Sequence, residues 1–198
     1  MPLTISENGF DYSVVIADTN HPFRLADIPA YVTAQGQFHF KEVEAGWVFS
    51  GSSVRYLSLM EMKAWFDDNN PKYREVILTE NNPDPKYILA NYATNELAKK
   101  IIDVVTMLTS QLPHNLAIAA SIHNEVISHL RQSEPLVALF IIKARPNFIF
   151  GPLKSAIQEQ IELFLQANQP ALVSNLTVLV MSKDDFQNNY SSFDVQLT

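Results

Sequence analysis

One run of nine residues, Leu136 to Ala144, is almost entirely apolar and does not alternate between apolar and polar positions. A strand with one covered face alternates, so this run predicts a strand that is covered on both faces. Leu176 to Met181 has the same character, and Tyr73 to Thr79 predicts one more strand. The chain must therefore place layers on both sides of a central sheet.

Three amphipathic segments supply the helices that such a sheet needs. In the first, apolar residues recur at steps of three and four along one helix face. The connection to the second is short, which predicts an antiparallel helix pair. The three segments extend from Pro85 to about Leu112, from Asn115 to Arg131, and from Gly151 to the residue before Pro170.

The first quarter of the chain is rich in β-branched and aromatic residues. Four short runs follow one another at hairpin spacing, separated by glycine or proline, and they predict an antiparallel β-meander. The runs are Tyr12 to Ala17, Ala30 to Ala34, Gln37 to Val43 and Trp47 to Ser50.

The next segment, Val54 to Phe66, predicts a helix with Ser53 as its cap. Apolar side chains cover more than half of its surface, so it needs burial on two sides. Methionine and aromatic side chains on one helix are typical of adaptable protein contacts. This surface predicts an interaction site, or a homo-oligomer contact, formed by Leu59, Met62, Trp65 and Phe66.

The order of these elements predicts an α+β fold. An N-terminal antiparallel meander precedes an α/β-like segment, whose mixed sheet is flanked by helices and includes the helix pair. We expect a single domain over residues 1–198. A boundary near Pro71, with lobes 1–70 and 71–198, is the alternative. The Asn/Ser-rich end, Asp185 to Thr198, is expected to be loosely held.

Composition excludes several classes of function. The chain has no cysteine, which excludes disulfides, cysteine-ligated zinc and thiolate nucleophiles. Its 5 glycines are scattered and form neither of the glycine-rich phosphate-binding motifs. A formal net charge of -7 argues against nucleic acid as a general electrostatic partner. Without a recognisable signal or spanning segment, the protein is expected to be soluble and cytoplasmic, with no membrane partner.

Polar residues follow three of the predicted strands. If those strands are parallel, their carboxyl ends meet at one edge of the sheet, where open α/β sheets bind ligands. Carboxylates there would hold a divalent cation such as magnesium, and the cations would stabilise phosphoryl charge. The candidate metal ligands are Glu80, Asp84, Asp184 and Asp185, and the candidate catalytic residues are Lys143 and Arg145. The competing interpretation is that these residues are helix caps and solvated loops.

The histidines form no recognisable metal motif. His123 and His129 are six residues apart and do not share a helix face. Glu125 and His129 are four residues apart, which predicts a surface ion pair.

Two functions remain open, and the sequence does not decide whether the chain is an enzyme. The first is a non-enzymatic interaction module, regulatory, inhibitory or for assembly, that binds another protein or itself and needs no cofactor. The second is a metal-assisted phosphodiesterase or nuclease, or an enzyme that binds a phosphorylated ligand, with its site at the strand carboxyl ends.

Overall fold

The computed structural model describes residues 1–7, 9–38, 40–51, 53–63, 93–143 and 150–198. Within these residues the chain forms two sheets, so the predicted α+β class is confirmed. The smaller sheet is antiparallel, in the order β1-β2-β7, and consists of β1 Leu3–Ile5, β2 Val14–Ile16 and β7 Val195–Leu197. The larger sheet has the order β3-β4-β5-β6 and consists of β3 Ala45–Gly51, β4 Val54–Lys63, β5 Leu136–Ile142 and β6 Leu176–Ser182.

The larger sheet is mixed. β3 and β4 form an antiparallel hairpin, whereas β4, β5 and β6 are parallel. The predictions of strands at 136–144 and 176–181 are confirmed, and the structure shows that the two strands are parallel, which the sequence left open. All seven residues of β5 are buried, as a strand covered on both faces requires. Alternate residues of each strand therefore belong to two different hydrophobic cores.

Helices cover one face of this sheet. The residues of β4 and β5 that point to this side, such as Leu57 and Phe140, pack in one core with apolar side chains of the helices. The helical layer consists of α1 Pro29–Phe38, α2 Lys99–Thr109 with a π-helical turn Ala93–Ala98 before it, α3 Pro113–Ala119, α4 Asn124–Arg131, α5 Phe150–Asn168 and the short α6 Pro170–Val173. In the described residues no helix is long and apolar enough to span a bilayer.

The smaller sheet and the C-terminal segment cover the other face. α7 Lys183–Asn189 follows β6 directly, and β7 then pairs with β2. Trp47, fully buried on β3, donates its indole N–H to the carbonyl of Phe193 at 2.9 Å. The prediction that Asp185 to Thr198 is loosely held is wrong, because Phe186, Phe193 and Val195 are core residues.

The predicted helix over 54–66 is wrong within the described residues, because residues 54–63 form β4. Both faces of this central strand are buried, so apolar residues occur at nearly every position, and this pattern also fits a helix that is buried on two sides. Pairing with a neighbouring strand makes this segment a strand and not a helix. β3 pairs with β4 from Ala45 opposite Met60 to Gly51 opposite Val54.

Two of the four meander strands are also wrong. Ala30 to Ala34 lies in α1, which begins at Pro29 and buries Tyr31 and Ala34 on one face. The run 37–43 contains the end of this helix and no strand in its described residues. Strands do occur at 14–16 and 45–51, near the first and last predicted runs. Gly46 is required in β3, since a Cβ there would lie 2.3 Å from a ring carbon of Phe23.

Among the predicted helices, the one that begins at Gly151 is confirmed as α5. The segment from Asn115 to Arg131 is not one helix, because α3 ends at Ala119 and His123 adopts an extended backbone before α4. The first helix of the pair is confirmed from Ala93 to Thr109. Its start at Pro85, the strand 73–79 and the boundary near Pro71 lie outside the described residues.

Candidate functional site

The carboxyl ends of the three parallel strands lie side by side. Lys63 of β4, Ile142 of β5 and Ser182 of β6 occupy one register position. β3 begins at the same edge because it is antiparallel to β4, so Glu44, just before β3, donates its backbone N–H to the carbonyl of Met60. This is the edge at which open α/β sheets bind ligands.

A group of charged side chains lies at this edge, with Glu61 buried and the others partly buried, and we call it the glutamate–lysine cluster: Glu42, Glu44, Glu61, Lys63 and Lys100. Glu61 follows Leu57 and Leu59 at steps of two, so it points from β4 towards the helices. Its side chain is only 1% exposed. Lys63 lies 2.9 Å from Glu61 Oε1, and Lys100, from the first turn of α2, also donates to Oε1.

The two oxygens of Glu61 differ in their surroundings. Both ammonium groups contact Oε1, whereas Oε2 is buried and has no hydrogen-bond partner among the described residues. A buried carboxylate oxygen without a partner is costly, since the lost hydration is not replaced. Such an atom needs a partner that the described residues do not supply, such as a water or an ion.

Glu44 lies close to the same ammonium as Glu61, and Glu42 lies within electrostatic reach of Glu44 and Lys100. Lys63 Nζ is 3.7 Å from Glu44 Oε1, so one cation contacts both Glu44 and Glu61. Burial raises the pKa of Glu42, and the negative charge of Glu44 adds to this. Glu42 Oε2 is also buried and without a partner among the described residues. The cluster therefore holds three carboxylates and two lysines, and a fourth carboxylate, Glu7, lies within electrostatic reach of both lysines.

The residues predicted for this edge lie elsewhere on it or outside the described residues. Lys143 follows β5 on the side of the smaller sheet, within electrostatic reach of Asp11. Asp184 and Asp185 are exposed in the first turn of α7, where the Asp185 N–H donates to Ser182 Oγ. The structure does not place these aspartates in the glutamate–lysine cluster. Arg145, Glu80 and Asp84 lie outside the described residues.

Two of the four residues predicted as an interaction surface, Leu59 and Met62, lie on strand β4 and not on a helix. Leu59 is 1% exposed and Met62 is 0% exposed, and they belong to the two cores on opposite faces of β4. Neither side chain is available to a partner in this structure. Trp65 and Phe66 lie outside the described residues. The interaction-module hypothesis stays a prediction without a described surface.

A second polar group, the histidine cluster, lies at the surface: His21, His123 and Glu125. One possible ligand atom from each residue lies within 4.8 Å of the others. His21 follows a short 3-10 turn and has a positive φ of 49°. His123 is the N-cap of α4, and its Nδ1 accepts the backbone N–H of Glu125 at 3.3 Å.

Contacts within the histidine cluster are short. His21 Nε2 lies 2.6 Å from Glu125 Oε2, and Arg55 donates to Glu125 Oε1. The rings of His21 and His123 stack with centroids 3.6 Å apart. The Arg55 hydrogen bond lowers the pKa of the Glu125 carboxyl, so this group is ionised at neutral pH.

The predicted ion pair between Glu125 and His129 is wrong. Glu125 is bound by Arg55 and His21 instead. His129 is buried, with Nδ1 2.7 Å from Glu134 and Nε2 2.8 Å from the carbonyl of Pro135.

Sequence reasoning missed both clusters. Glu61 and Lys63 were hidden because their segment was predicted to be a helix. The available signal was the hairpin spacing between Trp47–Ser50 and the next apolar run, together with two charges at the end of that run. The histidine cluster had no sequence signal, since about 100 residues separate His21 from His123 and only tertiary contact joins them.

Comparison with known proteins gives no relative: no protein-family profile matches the chain, and no curated protein or solved structure is significantly similar to it.

Proposed function

We propose that the chain is a metal-assisted phosphodiesterase with its site in the glutamate–lysine cluster, at the carboxyl end of β4. The observation that carries the proposal is the buried Oε2 of Glu61, which has no partner among the described residues and lies on the same carboxylate that two lysines contact. The site uses the sheet edge predicted from the sequence, but different residues.

Glu44 and Glu61 are the cation ligands in this proposal. Magnesium is held in proteins by one or two carboxylates and completes its shell with water and substrate oxygens. Lys63 bridges these two carboxylates now, at 3.7 and 2.9 Å. A divalent cation held by Glu44 and Glu61 would supply twice the charge of that ammonium. Lys63 would then be available to an anionic substrate.

The lysines and Glu42 have separate roles in the reaction. Lys63 and Lys100 are positioned to stabilise the negative charge that develops on the phosphoryl oxygens. A cation held by Glu44 and Glu61 would act as a Lewis acid, which polarises a phosphoester and lowers the pKa of an attacking water. That water forms the new P–O bond and gives one proton to Glu42, and the P–O bond to the leaving group breaks. The leaving oxygen takes up a proton from solvent. The raised pKa of Glu42 brings this carboxyl nearer to neutral pH and suits it as a proton acceptor.

Hydrolysis of bis(4-nitrophenyl) phosphate tests the proposal, with Mn²⁺ or Mg²⁺ added to protein first treated with EDTA. We expect cation-dependent release of nitrophenolate, reduced at least about 100-fold in Glu61→Gln and in Lys100→Met, the usual cost of removing one transition-state contact. Lys99→Met is the matched control. Lys99 is the neighbouring residue on α2, forms an exposed ion pair with Asp103 and should leave the rate unchanged.

Two outcomes contradict the proposal. One is the absence of cation-dependent hydrolysis in a folded wild-type protein. The other is a Glu61→Gln variant with the wild-type rate. Urea unfolding of each variant shows whether a lost rate reflects a lost fold.

A further inference from the structure

We propose that the histidine cluster is a second metal site, which takes a borderline divalent ion such as Zn²⁺ through His21, His123 and Glu125. Two imidazoles and one carboxylate form a ligand set that zinc uses in open sites, where the fourth position is left to water or another small ligand. The three ligand atoms already lie within 4.8 Å of one another. This site is independent of the glutamate–lysine cluster.

The two oxygens of Glu125 are divided between two tasks. Oε2 faces His21 Nε2 at 2.6 Å, while Oε1 accepts from Arg55. Two ligands at zinc distance in a tetrahedral site are roughly 3.3 Å apart. For an ion to replace the proton between them, His21 Nε2 and Glu125 Oε2 therefore have to move apart by less than roughly 1 Å. Arg55 holds the far oxygen and fixes the orientation of the carboxylate, as outer-shell partners do in metal sites.

His123 is the ligand that must move. The two rings are parallel within 1°, so their nitrogen lone pairs lie in separate planes and cannot meet at one ion. His123 is exposed, whereas His21 is partly buried and its own backbone lies in the left-handed region. Binding of the metal therefore requires the His123 ring to turn. The ring then loses its stack on His21 and the hydrogen bond that it accepts from the Glu125 backbone N–H, and it gains a bond to the metal.

A surface cleft of about 390 Å³ lies next to these residues. Its lining includes Pro22, which follows His21, and Ser121, which precedes His123 by two positions. Arg24 and Asp27 also line the cleft and give it one cationic and one acidic side chain. His21, His123 and Glu125 do not themselves line this cleft.

Titration calorimetry with Zn²⁺ as the probe tests the site on the intact chain, together with the absorption spectrum of bound Co²⁺. Asparagine variants keep the fold intact. His123→Asn retains a good helix N-cap, and His21→Asn suits the positive φ at that position. Glu134→Gln is the matched control, since Glu134 pairs with the buried His129, outside the cluster.

We expect one Zn²⁺ per chain and a four- or five-coordinate Co²⁺ spectrum. Each asparagine variant should weaken binding at least about 100-fold, the upper range for loss of even an outer-shell group. Glu134→Gln should bind as the wild type does. Wild-type affinity in either asparagine variant, or no binding by the wild type, overturns the proposal. Glu61→Gln should not affect Zn²⁺ binding, which separates this site from the proposed phosphodiesterase site.

Discussion

Glu61 and Glu125 are both bound by basic side chains, yet their environments are opposite. Glu61 is buried on a central strand, two lysines contact one of its oxygens, and the other oxygen has no partner among the described residues. Glu125 lies on the first turn of a surface helix, is 32% exposed, and has one partner on each oxygen. The first arrangement is costly and incomplete, and the second is complete and inexpensive.

This difference indicates for which of the two clusters a contribution to fold stability is a sufficient explanation. Buried ion pairs are often no more stabilising than apolar residues of the same size, because desolvation offsets the attraction between the charges. An exposed ion pair contributes little either way. The glutamate–lysine cluster therefore needs a functional explanation more than the histidine cluster does.

Removing both lysines should have the largest effect. The double variant Lys63→Met, Lys100→Met leaves Glu61 charged, buried and without a partner, which costs about 3–5 kcal/mol for a buried pair that loses one member. Urea unfolding at pH 7 measures the loss. Lys99→Met, on the same helix, should change stability by less than about 0.5 kcal/mol, as expected for an exposed i,i+4 pair. Equal losses of stability in the lysine double variant and in Lys99→Met would contradict this difference between a buried and an exposed ion pair.

Replacing Glu61 together with both lysines should restore the stability. In the triple variant Glu61→Leu, Lys63→Met, Lys100→Met the buried charge of Glu61 is removed with its two partners, while Glu44 keeps its ion pair with Arg24. Apolar replacement of a buried ionic group is neutral or stabilising by about 1–4 kcal/mol. We expect this variant to be at least as stable as the wild type and to lose its response to Mn²⁺. A triple variant as unstable as the double variant would show that the ionic group itself holds the fold.

Glu42→Gln should produce a smaller effect that depends on pH. Burial raises the pKa of Glu42 above 4.5, so its charge is a cost to the folded state at neutral pH. The variant should be more stable than the wild type at pH 7. This advantage should shrink as the pH falls through the raised pKa, because the wild-type carboxyl becomes protonated. Unfolding free energies at several pH values between 4.5 and 7 measure the trend, and a constant difference would contradict it.

Glu125→Gln should have the smallest effect, with the opposite sign. The Arg55 hydrogen bond lowers the pKa of Glu125, so its charge stabilises the fold above 4.5 and this contribution is lost as the pH falls through the lowered pKa. At pH 7 the variant should lose no more than about 1 kcal/mol, the usual limit for an exposed pair. A larger loss in urea unfolding would show that the histidine cluster is structural.

The sequence predicted the layers better than the residues of the site. β5 is buried on both faces and β6 is partly buried, and the apolar composition of each run identifies it as a strand. β4 is buried in the same way but is longer and ends in charged residues, and its pattern also fits a helix. The hairpin with β3 resolves the ambiguity, and pairing with a partner strand is not encoded in the periodicity of one segment.

Tertiary contacts explain the remaining differences. The C-terminal residues are polar on average, yet Phe186, Phe193 and Val195 are spaced so that each reaches the second core. Lys100 belongs to the site only because the first turn of α2 packs above the end of β4. No spacing in the sequence indicates that contact.

The most direct test of a cation site at Glu61 is a calorimetric titration with Mn²⁺. It compares the His21→Asn protein with the same protein that also carries Glu61→Gln. The His21→Asn background removes the contribution of the histidine cluster. We expect one bound Mn²⁺ in the His21→Asn protein and none in the variant that also carries Glu61→Gln, with both proteins folded. Equal Mn²⁺ binding by the two proteins, or no binding by either, would contradict it.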